Sequence, residues 1–229
     1  MRTGPAIVGV FAWLVICGRA LGLTLADISN QDAVQGLKDA LLQSSGKAVS
    51  QLSLPNGFLD NPKVKIPLPD SLKRAEGYLR MIGMGSEADE LVASMNRAAE
   101  MAVREATPLL ASSVKSMSIN DVKGVLAGGD DAATRYFKRT TSTQLAQRFL
   151  PIVKQSTAKV ELAQQYNQLA GYAARFGLVR KEDANIDEYV TRKALDGLYL
   201  VIAEQERAIR RDPLGAATSV AKKVFGALR

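Results

Sequence analysis

The segment 126–145, LAGGDDAATRYFKRTTSTQL, brings several chemically active side chains together. Gly128 and Gly129 precede Asp130 and Asp131, a composition found in acidic catalytic sites and in phosphate-binding loops. A nucleotide-cyclase type of site would need a β-hairpin here, but both flanks have helical periodicity. No glycine-lysine pair opens the following helix, as it would in a phosphate loop. We therefore expect a junction between two helices, in which a glycine in the left-handed conformation ends one helix and an aspartate caps the next.

A basic group lies on the helix that follows. Arg135, Lys138 and Arg139 share one side of it, beside Tyr136. Such cations bind phosphate or carboxylate groups, so these four residues are candidate ligand-binding residues. A solvated basic face is the alternative explanation.

A second candidate group lies in the predicted helix that contains SMNRAAE. Asn96 and Glu100 are four residues apart and share a face, with Arg97 adjacent. If this face is buried, every polar atom in it needs a hydrogen-bond partner. The alternative is an ordinary solvated face.

A proline-rich loop over 55–70 is the third candidate region. Half of the eight prolines fall in it, so no helix can continue there. Long loops with little secondary structure are usually functional or disordered. Lys63 and Lys65 are its cations, and four apolar residues are expected to anchor it against the helices: Phe58, Leu59, Val64 and Ile66. A packed connector with solvated lysines is the alternative.

The loop and the basic helix suggest one combined hypothesis. If they pack together, five cations converge beside Phe58 and Tyr136, in a place suited to an anionic amphiphile. If they lie on opposite sides, each is a solvated surface.

The first 22 residues have the three-part pattern of a secretory signal peptide. Arg2 supplies the positive start, residues 5–18 are apolar and uncharged, and small residues precede Leu23. We expect cleavage there and export to the periplasm. Lipoprotein anchoring at Cys17 is less favoured because the residue before it, Ile16, is not small. An N-terminal core helix is the other alternative.

Removal of residues 1–22 would leave no cysteine and no tryptophan, and the chain has no histidine. Disulfides, histidine-based nucleophilic catalysis and zinc held by His and Cys would then be excluded. The formal net charge would fall from +7 to +5 through loss of Arg2 and Arg19. This excess is too small to indicate a dedicated nucleic-acid binder. No cofactor, metal or membrane span of the mature chain is predicted.

The remaining sequence predicts a single all-α domain, 23–229, of about seven to nine helices with one long proline-rich loop. Apolar residues recur at helical spacing in several segments, most clearly after Asn185, and Asp183 or Asn185 is expected to cap that helix. Asp70 is expected to cap a helix over 71–82. Ser118 and Asp121 form a capping-box pattern, and Gly177 is expected to end a helix. A long helical pattern begins at Ser86, and Pro108 is expected to kink or split it. A last helix is expected over 215–228. No convincing strand pattern is present.

Several motifs resemble a bacterial family known as domain of unknown function 4197. They include GFLDNPKVKIPLPDSLKRAE, SMNRAAE, GGDDAATRYFKR, FLPIVKQSTAKV, YVTRKALDGLYLVIAEQE and IRRDPLGAA. The resemblance covers nearly all of 24–229. It implies an exported helical protein of Gram-negative bacteria, with no established activity and no catalytic residues to transfer.

The sequence thus favours an exported, non-enzymatic helical protein that binds an envelope partner or an anionic or amphiphilic ligand. The alternative is a cell-envelope enzyme that uses Asp, Glu, Lys or Tyr without His or Cys.

Overall fold

The computed structural model describes residues 30–212 and 218–226. These ranges contain no strand, which confirms the all-α prediction. A short 3-10 helix, Lys181–Asp183, precedes α8. The α-helices of the described residues are α1 (Asn30–Leu52), α2 (Asp70–Met81), α3 (Gly85–Val103), α4 (Ala106–Lys115), α5 (Ile119–Leu126), α6 (Ala132–Thr157), α7 (Glu161–Arg175), α8 (Ile186–Arg211) and α9 (Ser219–Gly226).

The long helices α6 and α8 pack antiparallel at the centre. Glu206, near the end of α8, accepts from Ala133 N at the start of α6. Further along, the hydroxyls of Thr141 and Tyr199 lie 2.9 Å apart. Helices α1 and α3 pack against α8, and α3 also packs against α6. The core between them is built from large apolar side chains that are completely buried, among them Phe58, Phe137, Phe149, Leu37, Leu91 and Leu198.

Three predicted helix boundaries are confirmed by their bonding. Ser118 and Asp121 form a reciprocal capping box at the start of α5. The side chain of Asn185 accepts from Asp187 N and Glu188 N at the start of α8. Gly177, at φ +73°, follows α7 in the left-handed conformation that glycine adopts without strain.

The GGDD segment is a helix junction, but the predicted bonding is wrong. Neither Gly128 nor Gly129 has a positive φ. Gly128 is instead required by close packing, because a Cβ there would lie 2.8 Å from Gly124 O. Asp131 occupies the N-cap position of α6 without any side-chain cap bond, and it pairs with Arg135. The first N–H groups of α6 are bound by a side chain from α8, described below.

One other boundary also differs from prediction. Asp70 is the first residue of α2 rather than its cap, and Pro69 takes the N-cap position without a side-chain bond. The long helical pattern after Ser86 is split into α3 and α4, which is one of the two outcomes expected from Pro108. Pro108 lies in the first turn of α4, where no hydrogen-bonded N–H is needed. The predicted signal peptide 1–22, with Cys17, lies outside the described residues, as do both ends of the helix predicted over 215–228.

Candidate functional site

The proline-rich loop is anchored by the two buried polar residues of SMNRAAE. Asn96 Oδ1 accepts from Ile66 N at 2.8 Å, and Asn96 Nδ2 donates to Ile66 O at 2.9 Å and to Val92 O at 2.8 Å. One turn later, Glu100 Oε1 accepts from Phe58 N at 3.3 Å. Both polar side chains are almost fully buried. The structure therefore places Asn96 and Glu100 in a buried cluster whose partners are the loop's own backbone.

The cations of this region point outward. Lys63 Nζ lies 2.7 Å from Glu204 Oε1. Lys65 lies on the wall of a separate depression of about 370 Å3 beside α2 and α3. Arg97 is exposed, and its Nε is 4.0 Å from Glu100 Oε2. None of the three converges with another on a common ligand position.

Two of the three cations on the basic side of α6 form ion pairs with nearby carboxylates. Arg135 pairs with Asp131, and Arg139 Nη2 lies 3.3 Å from Asp121 Oδ1. Lys138 is exposed. Tyr136 is buried: its hydroxyl donates to Ser113 O at 2.9 Å, and the Arg139 guanidinium lies 5.4 Å from its ring centre.

The structure does not bring the loop and the basic helix together. Lys63 bonds to Glu204 on α8, seven residues from Gly197, on the side that the loop covers. Helix α6 packs on the side that carries Tyr199 and Glu206. Residues two positions apart on an α-helix point in nearly opposite directions. The loop, with its two lysines, and helix α6, with its three cations, therefore pack on different sides of α8.

A different polar cluster lies where the start of α2 meets the segment after α7. Asp183 is buried and pairs with Arg180 and, at 2.6 Å, with Arg192. Tyr166 OH donates to Asp183 O at 2.6 Å and lies 2.8 Å from Ser71 Oγ. The cluster thus joins three parts of the chain that are far apart in sequence.

Two tyrosines in this region stay protonated well above neutral pH. Burial raises the pKa of Tyr166. Burial also raises the pKa of Tyr189 to about 12, and the charges of Asp183 and Asp70 add to this effect. Both hydroxyls therefore act as hydrogen-bond donors at neutral pH rather than as bases.

The polar cluster encloses a small pocket of about 180 Å3. Arg180 in its wall is already paired with three carboxylates: Asp70, Glu182 and Asp183. Arg74 also lines the pocket and has no ion-pair partner among the described residues. The pocket wall therefore holds two guanidiniums and two carboxylates, and among these four described side chains Arg74 is the one that makes no ion pair.

An apolar cleft of about 300 Å3 adjoins this pocket. It lies between α2 and α7, which both pack on α3. Ser71 and Val179 line both the cleft and the polar pocket, so the two spaces meet there. The walls of the cleft are mainly apolar and include Leu72, Leu79, Met84, Leu162, Leu169 and Ala173.

A second groove, of about 560 Å3, lies between α6 and α8. Ala146, Leu150 and Leu195 form its apolar part. Thr191 also lines it, and the Thr191 hydroxyl is buried without a hydrogen-bond partner. The charged side chains at this groove are Glu188 and Arg192, and Arg192 is already bound to Asp183. The described walls of the groove therefore provide no cation that is free to bind an anion.

Within residues 30–212 and 218–226, no helix has both the length and the hydrophobicity to cross a membrane. The same ranges contain no group of three or more carboxylate, histidine or cysteine side chains placed to hold a metal ion.

These features define an all-α helical protein with an apolar cleft that ends at a polar pocket. The family model described as protein of unknown function DUF4197 matches residues 27–226. The chain belongs to this family, which confirms the resemblance found in its motifs. No curated protein and no solved structure matches the chain.

Proposed function

We propose that this protein is an exported, non-enzymatic binding protein for an anionic amphiphile. The apolar cleft between α2 and α7 takes the hydrocarbon chain, and the adjoining polar pocket takes the anionic head group. The observation that carries this proposal is the meeting of the two spaces at Ser71 and Val179. An amphiphile needs this combination of an apolar channel and a cationic end.

The chain-binding part is supported by the packing of α2. No residue of α2 is fully buried, although the helix carries Leu72 and Leu79 on its cleft side. Both side chains are partly exposed, and partly exposed apolar side chains are stabilised when a hydrocarbon chain covers them. The cleft volume is at the lower end of the about 300–1,000 Å3 typical of small-molecule sites.

The head-binding part is supported by Arg74. Among the charged side chains that line the polar pocket, Arg74 makes no ion pair with a described carboxylate, and a guanidinium binds a carboxylate or phosphate in a bidentate manner. Tyr166 and Ser71 use their hydroxyl protons within the protein, because Tyr166 OH donates to Asp183 O and Ser71 Oγ then donates to Tyr166 OH. The raised pKa of Tyr166 preserves this bonding at neutral pH, so the two hydroxyls shape the pocket and provide no base for catalysis.

The direct test is fluorescence titration with cis-parinaric acid, a naturally fluorescent long-chain fatty acid. The parent is expected to bind it, and Ala173→Trp, which fills the cleft, is expected to abolish binding. Arg74→Glu is expected to weaken binding about tenfold or more, since a charge-assisted hydrogen bond contributes about 1.5–3 kcal/mol.

Two controls distinguish binding of the anionic head group from binding of the hydrocarbon chain. Lys73→Glu makes the same charge change one residue away but outside the polar pocket, and it should leave affinity nearly unchanged. The methyl ester of the probe should bind the parent and Arg74→Glu equally. Absence of binding in the parent, or unchanged binding in Ala173→Trp, would refute the proposal.

Export is tested independently of the ligand. Protein recovered from the periplasmic fraction is expected to begin near Leu23, because residues 1–22 have the signal-peptide pattern. N-terminal sequencing that finds these residues intact on cytosolic protein would contradict this prediction.

A further inference from the structure

Helix α2 is the least buried helix in the described part of the chain. Residues 70–87, which comprise α2, the turn after it and the first turn of α3, contain no buried residue. Every other α-helix in residues 30–212 and 218–226 contributes several buried residues to the core. Segments with few buried contacts open at a low cost in free energy. Helix α2 can therefore move while the core stays folded.

The chain is fixed on both sides of α2. Before α2, Ile66 is bonded to Asn96 of α3, and Tyr189 OH donates to Pro67 O at 3.1 Å. After α2, the next buried residue is Ala88 of α3. Both fixed points thus lie on or against α3, the helix on which α2 packs. A movement of α2 is therefore a rotation against α3 rather than a displacement of the proline-rich loop.

Both ends of α2 have residue types that suit a hinge. Pro69 takes the N-cap position, where it makes no side-chain cap bond and has no backbone N–H to donate. In the turn after α2, Gly83 has φ +85°, and Gly85 begins α3. Hinges are a few residues at element ends, often small, that absorb changes in backbone angles. These positions therefore allow α2 to turn as a unit.

Two polar contacts fasten the start of α2 across the cleft. Ser71 Oγ lies 2.8 Å from the hydroxyl of Tyr166 on α7, and Asp70 Oδ2 lies 3.3 Å from Arg180 Nη2. The ion pair is exposed on both sides and contributes little. Tyr166 is buried and is itself fixed by its bond to Asp183 O. The Ser71–Tyr166 bond therefore joins a weakly packed wall of the cleft to a firmly packed one.

We infer that α2 is a lid, which swings away from α7 to admit the hydrocarbon chain and closes again through the Ser71–Tyr166 bond. Opening breaks this hydrogen bond and the exposed Asp70–Arg180 pair. It exposes little additional apolar surface, because the cleft-facing Leu72 and Leu79 are already partly exposed. The opening itself rests on the packing of α2, whereas the ligand that it admits rests on the proposed function.

The test is the rate at which a cysteine buried in the cleft reacts with dithiodipyridine, a neutral thiol reagent. Ala170→Cys places a thiol on α7 at a position that lines the cleft and is 4% exposed. The chain has one natural cysteine, which Cys17→Ser removes from every variant. Adding Ser71→Ala is expected to accelerate labelling of this thiol about fivefold, because loss of one hydrogen bond shifts the equilibrium towards the open form by about that factor.

Two controls match these changes. Ala163→Cys places a thiol at a 1% exposed position of α7 that does not line the cleft, so its labelling reports wider unfolding and should not respond to Ser71→Ala. Ser113→Ala also removes a serine hydroxyl that pairs with another helix, 2.7 Å from Thr140 Oγ1, and it should not change the labelling of Ala170→Cys. Unchanged labelling in Ser71→Ala, or equal acceleration at both thiols, would overturn the lid.

Stopped-flow binding of cis-parinaric acid separates the lid from the proposed function. Ser71→Ala is expected to accelerate association and dissociation together, about fivefold each, because opening of the lid precedes both entry and release. A change in dissociation alone would mean that the Ser71 hydroxyl contacts the ligand, and it would overturn the role of this bond in closing the lid. A parent that binds no fatty acid would refute the proposed function, and accelerated labelling in Ser71→Ala would then still establish the opening of α2.

Discussion

Replacing Glu206 by alanine is expected to lower the free energy of unfolding by about 3–5 kcal/mol. The carboxylate is buried and accepts from Ala133 N and Thr134 N, both at 2.9 Å, and from the Thr134 hydroxyl. It therefore caps α6 from another helix and also meets the positive end of the α6 dipole. Arg210, largely buried, lies 3.0 Å from Glu206 Oε1 and would lose its only described carboxylate partner.

Urea unfolding followed by circular dichroism measures this effect, and two variants serve as controls. Glu204→Ala removes a carboxylate from the same helix that pairs with exposed Lys63, so it should cost less than about 1 kcal/mol. Asp131→Ala should also cost little, because this residue makes no cap bond. A Glu206→Ala protein as stable as the Glu204→Ala protein would show that the buried cap does not stabilise α6.

This capping arrangement shows why the sequence predicts elements better than their bonds. Local patterns determine where helices begin, and Asn185 and Ser118 act as predicted because their partners are two or three residues away. The cap of α6 comes from a residue more than seventy positions later. No local pattern distinguishes Glu206 from the exposed acids of the same helix.

The bonds of the candidate site could not be predicted from local sequence patterns either. The sequence predicts that Asn96 and Glu100 share a face, because this depends only on their spacing within one helix. The polar pocket instead joins Ser71 to Tyr166, which are 95 positions apart. One local signal for the cleft does exist in α2. Leu72, Tyr78, Leu79, Met81 and the following Ile82 cover more of the helix than a single core-facing stripe requires.

The anchored loop provides the second large prediction. Asn96→Leu is expected to lower the free energy of unfolding by about 2–4 kcal/mol, since it leaves two buried backbone groups of Ile66 without partners and each such group costs about 1–3 kcal/mol. The loss of stability should be concentrated in the proline-rich loop. Hydrogen exchange at Ile66 N is therefore expected to accelerate more than exchange in α6 or α8. Arg97→Leu, an exposed neighbour, is the matched control and should change neither measurement appreciably.

Asn96→Asp separates hydrogen bonding from side-chain volume. The carboxylate keeps an acceptor for Ile66 N but faces Ile66 O and Val92 O, to which the amide of Asn96 donates. Burial and these carbonyls disfavour the charged form, so the pKa of the introduced carboxyl should be raised in the folded state. A raised folded-state pKa gives stability that is present at low pH and lost as pH rises. The Asn96→Asp variant should therefore approach the parent in stability as pH falls, whereas Asn96→Leu should show no such recovery. A constant difference between Asn96→Asp and the parent across the acidic range would mean that the Asn96 amide does not anchor the loop through its donor bonds.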